Sequence, residues 1–115
     1  MLPKHSRLTK VTIERHLIRA RRLKTSRFLI LYTQVSGLKG PQISFAASKK
    51  VAPRAVVRNR LRRRGYAAIR TLIPRISPTA AVLISYTLND TKVPIADITQ
   101  EIKEAFVKTG LYKEE

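Results

Sequence analysis

The sequence predicts an α+β fold: a single-domain α/β sandwich in the order α-β-β-(β)-α-β-α. Three observations carry that prediction. Apolar runs rich in β-formers occupy residues 28–32 and 80–84, the length of a strand and too short for a buried helix. Residues 53–72 and 95–106 instead repeat their apolar side chains at helical period. The chain has 115 residues, 43% of them hydrophobic, with no internal repeat and no break in composition, which is one domain with a real core.

Taken in order, Thr9 or Thr12 can cap a first helix carrying Val11, Leu17, Ile18 and the aliphatic stems of Arg15 and Arg19. That helix dissolves near Arg21-Arg22. Phe28-Leu29-Ile30-Leu31-Tyr32-Thr33-Gln34-Val35 reads as a central strand. Gly37-Leu38-Lys39-Gly40-Pro41 is turn chemistry, and Gln42-Ile43-Ser44-Phe45-Ala46-Ala47-Ser48 alternates as a second strand. So short a connection predicts that these two strands pair antiparallel.

Pro53 suits the first turn of a long helix, where its missing N–H costs nothing. Val57, Leu61, Ala68 and Leu72 then fall on one stripe, with Gly65 in its gap. Glycine inside a helix costs about 1 kcal/mol relative to alanine. A close approach of helix to sheet would offset that cost. Pro74 ends the helix. Ala80-Ala81-Val82-Leu83-Ile84-Ser85-Tyr86 forms a third, buried strand, and Asn89-Asp90-Thr91 turns the chain. Ile95, Ile98, Ile102 and Phe106 mark a last amphipathic helix that Gly110 can stop.

Charge sets the class of partner. The net charge is +17, and it is lopsided: residues 1–89 hold 20 Lys/Arg and one acid, Glu14, while residues 90–115 hold 4 Lys/Arg and 6 acids. Between residues 49 and 75 stand ten Lys or Arg and no acid at all. Such a density repels itself unless a polyanion neutralises it, and nucleic acid is the obvious polyanion. The absence of cysteine excludes a disulfide framework and a thiolate metal site. A nuclease working alone needs clustered carboxylates or a histidine pair. Here Asp97, Glu101 and Glu104 read as a solvated helix face pairing with Lys103 or Lys108, and His5 and His16 stand apart. No catalytic side chain, bound cofactor or metal ligand is expected in this chain. The start shows no apolar core of a secretory signal and no run is long enough to cross a bilayer, so a cytoplasmic protein without a membrane partner is expected.

Asn59, Arg63, Tyr66 and Arg70 form a second stripe away from the apolar one, with Arg62 beside it and Arg60 and Arg64 on the other flank. Guanidinium groups offer planar, always-charged forks that match pairs of phosphate oxygens. The expected RNA-binding set is Lys49, Lys50, Arg54, Arg58, Asn59, Arg60, Arg62, Arg63 and Arg70. Asn59 suits a base edge or a ribose hydroxyl. Tyr66 either stacks on a base or lies flat against the edge of the sheet. Tyr32 and Phe45 could offer rings to unpaired nucleotides, although core packing suits Phe45 better.

At Ser48-Lys49-Lys50-Val51, followed by Ala55-Val56-Val57-Arg58-Asn59-Arg60-Leu61-Arg62-Arg63, the chain resembles the protein subunit of bacterial ribonuclease P. Arg7-Leu8, Arg21-Arg22, Leu31-Tyr32 and Leu111-Tyr112-Lys113 extend the resemblance over most of the length. It implies a ribosomal-protein-S5-domain-2-like fold with a left-handed βαβ crossover. It also implies a role: the arginine-rich helix docks on a catalytic RNA that uses Mg2+ to release the 5′ leader of precursor tRNA. No obligate protein partner is expected. A cleft between the first helix and the sheet would hold the leader, implicating Tyr32, Tyr66 and, from the first helix, Ile13 and Leu17. A register one residue along puts Glu14 and Ile18 there instead. The chain departs from the family pattern at Tyr66-Ala67-Ala68-Ile69, where Arg-Glu-x-Phe is usual, at Ser44 for a frequent glycine and at Gln42 for a frequent arginine. The aromatic pair usual on the first helix is missing. A structural RNA-binding protein such as a ribosomal protein, and a DNA-binding architectural protein, share the charge and size.

Overall fold

A computed structural model describes residues 20–113. The first helix read from the sequence, with Ile13, Glu14, Leu17 and Ile18, lies outside the described residues. Strands β1 (Arg21–Lys24), β2 (Phe28–Gln34), β3 (Gln42–Ala46) and β4 (Ala80–Tyr86) form one sheet in the spatial order β1-β2-β4-β3. Helix α1 (Ala55–Ile69) connects β3 to β4, and α2 (Ile95–Thr109) follows β4.

The predicted pairing of β2 with β3 does not form. The last strand, β4, comes between them, antiparallel to β2 from Phe28↔Tyr86 to Gln34↔Ala80 and parallel to β3 from Gln42↔Ala81 to Ala46↔Ser85. The physical reason is burial. β4 is apolar on both faces and gains most from a neighbour on each side, whereas β3 turns Gln42 and Ser44 to its second face and tolerates an edge. Parallel pairing needs a long crossover, which α1 supplies.

β1 is a strand where the sequence suggested only the end of a helix, and it supplies the fourth strand at a different place from the one expected. Leu23 is its one apolar residue; Arg21, Arg22 and Lys24 are exposed on the sheet edge. Charged side chains are common on edge strands because they discourage further pairing. The turn into β2 is closed by Thr25 N–H donating to Phe28 O at 2.8 Å.

One face of the sheet carries the main core. Phe28, Ile30, Ile43, Phe45, Val82 and Ile84 meet Leu61 and Ile69 from α1 and Ile98, Ile102 and Phe106 from α2. A smaller cluster on the other face gathers Leu31, Leu83, Val35, Leu38 and Ala20 around buried Ala81. Helix α1 begins later than predicted: Pro53 precedes the helix, and Arg54, in extended conformation, is the residue at its N-cap. Of its predicted stripe, Leu61, Gly65 and Ala68 are buried and Val57 is only half-buried. The helix stops at Ile69, short of buried Leu72, so Pro74 does not end it but lies in a separate 3-10 turn, Ile73–Arg75. Gly65 does bring the helix onto the sheet. A Cβ there would lie 2.5 Å from Cδ1 of the Phe45 ring. Helix α2 ends as predicted at Gly110, whose φ of +80° is the left-handed conformation that lets Leu111 N–H reach Phe106 O at 2.9 Å.

Candidate nucleic-acid interface

The outer side of α1 is a strip of cations. Lys49, Lys50, Arg54, Asn59, Arg60, Arg63 and Arg70 are exposed, and Arg58 and Arg62 are half-buried. Among the described residues no acid forms an ion pair with any of these cations. The first turn of α1 has no acidic residue and no side-chain cap, so its positive dipole end adds to the same field.

The nine predicted residues are not equivalent. Arg58 spends one guanidinium nitrogen, Nη1, on the backbone, donating to Ala52 O at 2.9 Å and Pro53 O at 2.8 Å. This clasp closes the junction between β3 and α1, where Val51 N–H also donates to Ser48 Oγ at 3.2 Å. Arg62 donates through Nη2 to Asn59 Oδ1, one turn earlier. Arg60 and Arg63 carry no such bond among the described residues, and both are exposed.

Arg64 departs from the run. Its Nη2 donates to the carbonyl of buried Val93, in the segment leading into α2, and its Nε is buried without a partner among the described residues. It ties the two helices together instead of facing outward. The signal was available: Arg64 follows Leu61 by three positions and precedes Gly65, which puts it at the border of the apolar stripe.

Of the two readings for Tyr66, the structure takes the packed one, and this corrects its inclusion among leader-cleft residues. Tyr66 is 6% exposed, its ring meets Phe45 edge-on with centroids 5.1 Å apart, and its hydroxyl accepts the Phe45 N–H at 3.2 Å in edge strand β3. Phe45 is likewise in the core. Tyr32 is half-buried, packs against the main core and stands beside Arg21, Thr109 and Leu111 in a cleft of about 400 Å³.

The acids of α2 also behave differently from expectation. Glu101 is not part of a solvated face: it accepts Thr25 Oγ1 at 2.5 Å and Arg27 N–H at 2.9 Å, and pairs with the Arg27 guanidinium. It pins α2 to the turn between β1 and β2. Lys103 sits 5.9 Å from the centroid of Tyr112 and pairs with no carboxylate among the described residues. Nearby Tyr86 has its phenol pushed up to about 12 by burial, with Arg64 opposing the shift and Glu101 adding to it.

Fold and surface together define a class: a small basic α+β domain whose crossover helix carries a surplus of arginine without acidic partners among the described residues. Within that class the chain belongs to the ribonuclease P family, whose model, described as Ribonuclease P, matches residues 2–110. It is similar to the ribonuclease P protein component of Rippkaea orientalis, 35% identical over 85 residues, covering 74% of this chain and 67% of the relative. The same-named component of Picosynechococcus is 32% identical over 71 residues, covering 62% of this chain and 61% of the relative. The fold matches the RNase P protein of Staphylococcus aureus with a TM-score of 0.77 at 12% identity, over 94% of this chain and 98% of that one. For the Thermotoga maritima protein the values are 0.72 and 14%, over 89% and 96%.

Proposed function

We propose that this chain is the RNA-docking subunit of a ribonuclease P ribonucleoprotein, and that it assists endonucleolytic 5′ maturation of precursor tRNA without contributing a catalytic side chain. The observation that carries the reading is the α1 strip, where cations stand without acidic partners among the described residues. Two folded RNAs brought together repel through their phosphates. A strip of fixed guanidinium groups lowers that repulsion, and so reduces the Mg2+ the RNA requires to fold and cleave. The metal and the hydrolysis belong to the RNA in this reading. Arg60 and Arg63 act as the direct phosphate forks, and Lys49, Lys50 and Arg54 extend the field. Arg58 and Arg62 hold the surface in shape while adding charge. The 5′ leader would run past Tyr32, whose half-buried ring and hydroxyl flank an open cleft.

The experiment is precursor-tRNA cleavage by ribonuclease P RNA at low magnesium, with and without the protein. Protein alone should cleave nothing, and its addition should restore processing. Log affinity for the RNA should fall with log salt, and replacing Arg60 and Arg63 together with alanine should flatten that slope by about 1.4–1.8. An unchanged slope would mean that these side chains do not touch phosphate.

A further inference from the structure

The two edges of the sheet are protected by different means. β1 carries Arg21, Arg22 and Lys24, exposed charges that oppose pairing with another strand. The opposite edge, β3, reads Gln42-Ile43-Ser44-Phe45-Ala46, with no charge and no proline, and its register against β4 runs without a bulge. Such an edge is a template for a further strand unless something covers it.

Phe45 shows which side of β3 is outward. Its N–H donates to the Tyr66 hydroxyl at 3.2 Å, so it points away from β4. Residues two apart in a strand turn their main-chain groups to the same side, which puts Ile43 outward as well. Yet Ile43 is 0% and Phe45 4% exposed, so water is kept from the edge at both. The cover at Phe45 is Tyr66 itself, whose ring meets the Phe45 ring edge-on. Gly65 brings α1 near enough for the hydroxyl to reach the strand. Charge is no substitute for this cover. Two copies at +17 each repel one another in dilute salt, but salt or a bound polyanion cancels that repulsion. A short-range cap works in either condition.

We propose that β3 is a latent pairing edge for a second copy of this chain, and that Tyr66 keeps it closed. Two β3 strands related by a two-fold axis would run antiparallel and join two four-stranded sheets into one. With the axis at Ser44, Ile43 of one copy would exchange main-chain hydrogen bonds with Phe45 of the other. Tyr66 holds one of those donors, so it competes with the partner strand directly. The proposal concerns association of the protein with itself and stands apart from the RNA-docking reading.

The test is sedimentation velocity of the full chain at micromolar to near-millimolar concentration, in about 1 M salt, where charge repulsion reaches only about 3 Å. The original protein should stay monomeric. Tyr66→Leu keeps apolar contact with Phe45 but removes the hydroxyl and the end of the ring, and it should dimerise. Tyr66→Phe keeps the ring and loses only the bond, so it carries the test if Tyr66→Leu does not fold. In that variant the Phe45 amide should exchange about fivefold faster, and dimer should form at high concentration. The chain has no cysteine, so Ser44→Cys places a unique thiol at the axis. A non-hydrogen-bonded antiparallel pair sets its Cα atoms about 4.5 Å apart, within reach of a disulfide. Oxidation should therefore link the Tyr66→Leu/Ser44→Cys protein into a dimer and leave the Ser44→Cys protein monomeric. A dimer of the original protein, or monomers alone in the folded Tyr66 variants, would overturn the proposal. So would a dimer that the thiol at position 44 does not link.

Discussion

Gly65→Ala is the sharpest test of how the cationic helix is held. Alanine is the better helix former by about 1 kcal/mol, so an exposed helix would gain. At this position the new Cβ would lie 2.5, 2.7 and 2.8 Å from three atoms of the Phe45 ring, well inside the 3.4 Å at which ordinary contact begins. The ring has little freedom to yield. It is 4% exposed and packs against Phe28, Tyr66 and Tyr86 at centroid distances of 6.3, 5.1 and 6.3 Å. Overpacking of a tight core costs typically about 1–3 kcal/mol, and a clash against the side of a locked ring belongs at the upper end. After the propensity gain, the expected net loss is about 1–2 kcal/mol. Urea unfolding followed by far-ultraviolet circular dichroism should show a lower midpoint with an unchanged slope. Phe45→Leu in the same chain should make room, so the double variant should lose less than the sum of the single losses. A Gly65→Ala protein as stable as the original, or more so, would refute the close approach of α1 to β3.

Three further outcomes follow from the polar contacts behind the strip. Burial raises the Tyr86 phenol from 10.0 to about 12, so the unfolded chain releases its proton first as pH rises; stability should fall between about pH 10 and pH 12, by up to about 2–3 kcal/mol. Tyr86→Phe should remove that fall in a comparison of pH–stability curves, at little cost at neutral pH, because the hydroxyl has no hydrogen-bond partner among the described residues. Glu101→Gln should cost about 1–2 kcal/mol in thermal unfolding, since it weakens a partly buried charged pair that also holds the β1–β2 turn. Faster hydrogen exchange at the Arg27 amide would locate the loss. Arg64→Leu should lower stability by a similar amount, about 1–2 kcal/mol for a hydrogen bond from a charged donor, yet leave the salt slope of RNA binding where it was. A slope reduced by about 0.7–0.9 would show that Arg64 reaches a phosphate.

The elements whose identity rests on local pattern were legible in the residues. The β-former runs became β2 and β4, the stripe through Leu61, Gly65 and Ala68 became the buried side of α1, and Gly110 ended α2. Gly65 announced a close contact because nothing else justifies a glycine in the middle of a helix. What local pattern cannot carry is the order of strands, which depends on the competition for the sheet centre; β4 wins it by being apolar on both faces, and the short link from β2 to β3 misleads. β1 was hidden because three of its four residues are cations, a composition that suits an edge and resembles a helix end. At the site, charge gave the strip but not its division of labour. The inward turn of Arg64, the clasp made by Arg58 and the tether at Glu101 each depend on a backbone partner distant in sequence or outside the helix. Tyr66 is undecided in the sequence, because a tyrosine among arginines suits either a base or the sheet, and only the position of Phe45 shows that it is packed.

The parallel pairing of β3 with β4 has a consequence for biosynthesis. As the polypeptide leaves the ribosome, its guanidinium-rich stretch is finished well before residues 80–86, against which β3 must zip. Until that later strand arrives, the hydrophobic underside of α1 has no completed platform, and a loose polycation hangs beside ribosomal RNA. The nascent protein is therefore most prone to stick to the wrong polyanion during this interval, which closes once Tyr86 has emerged and the sheet is whole.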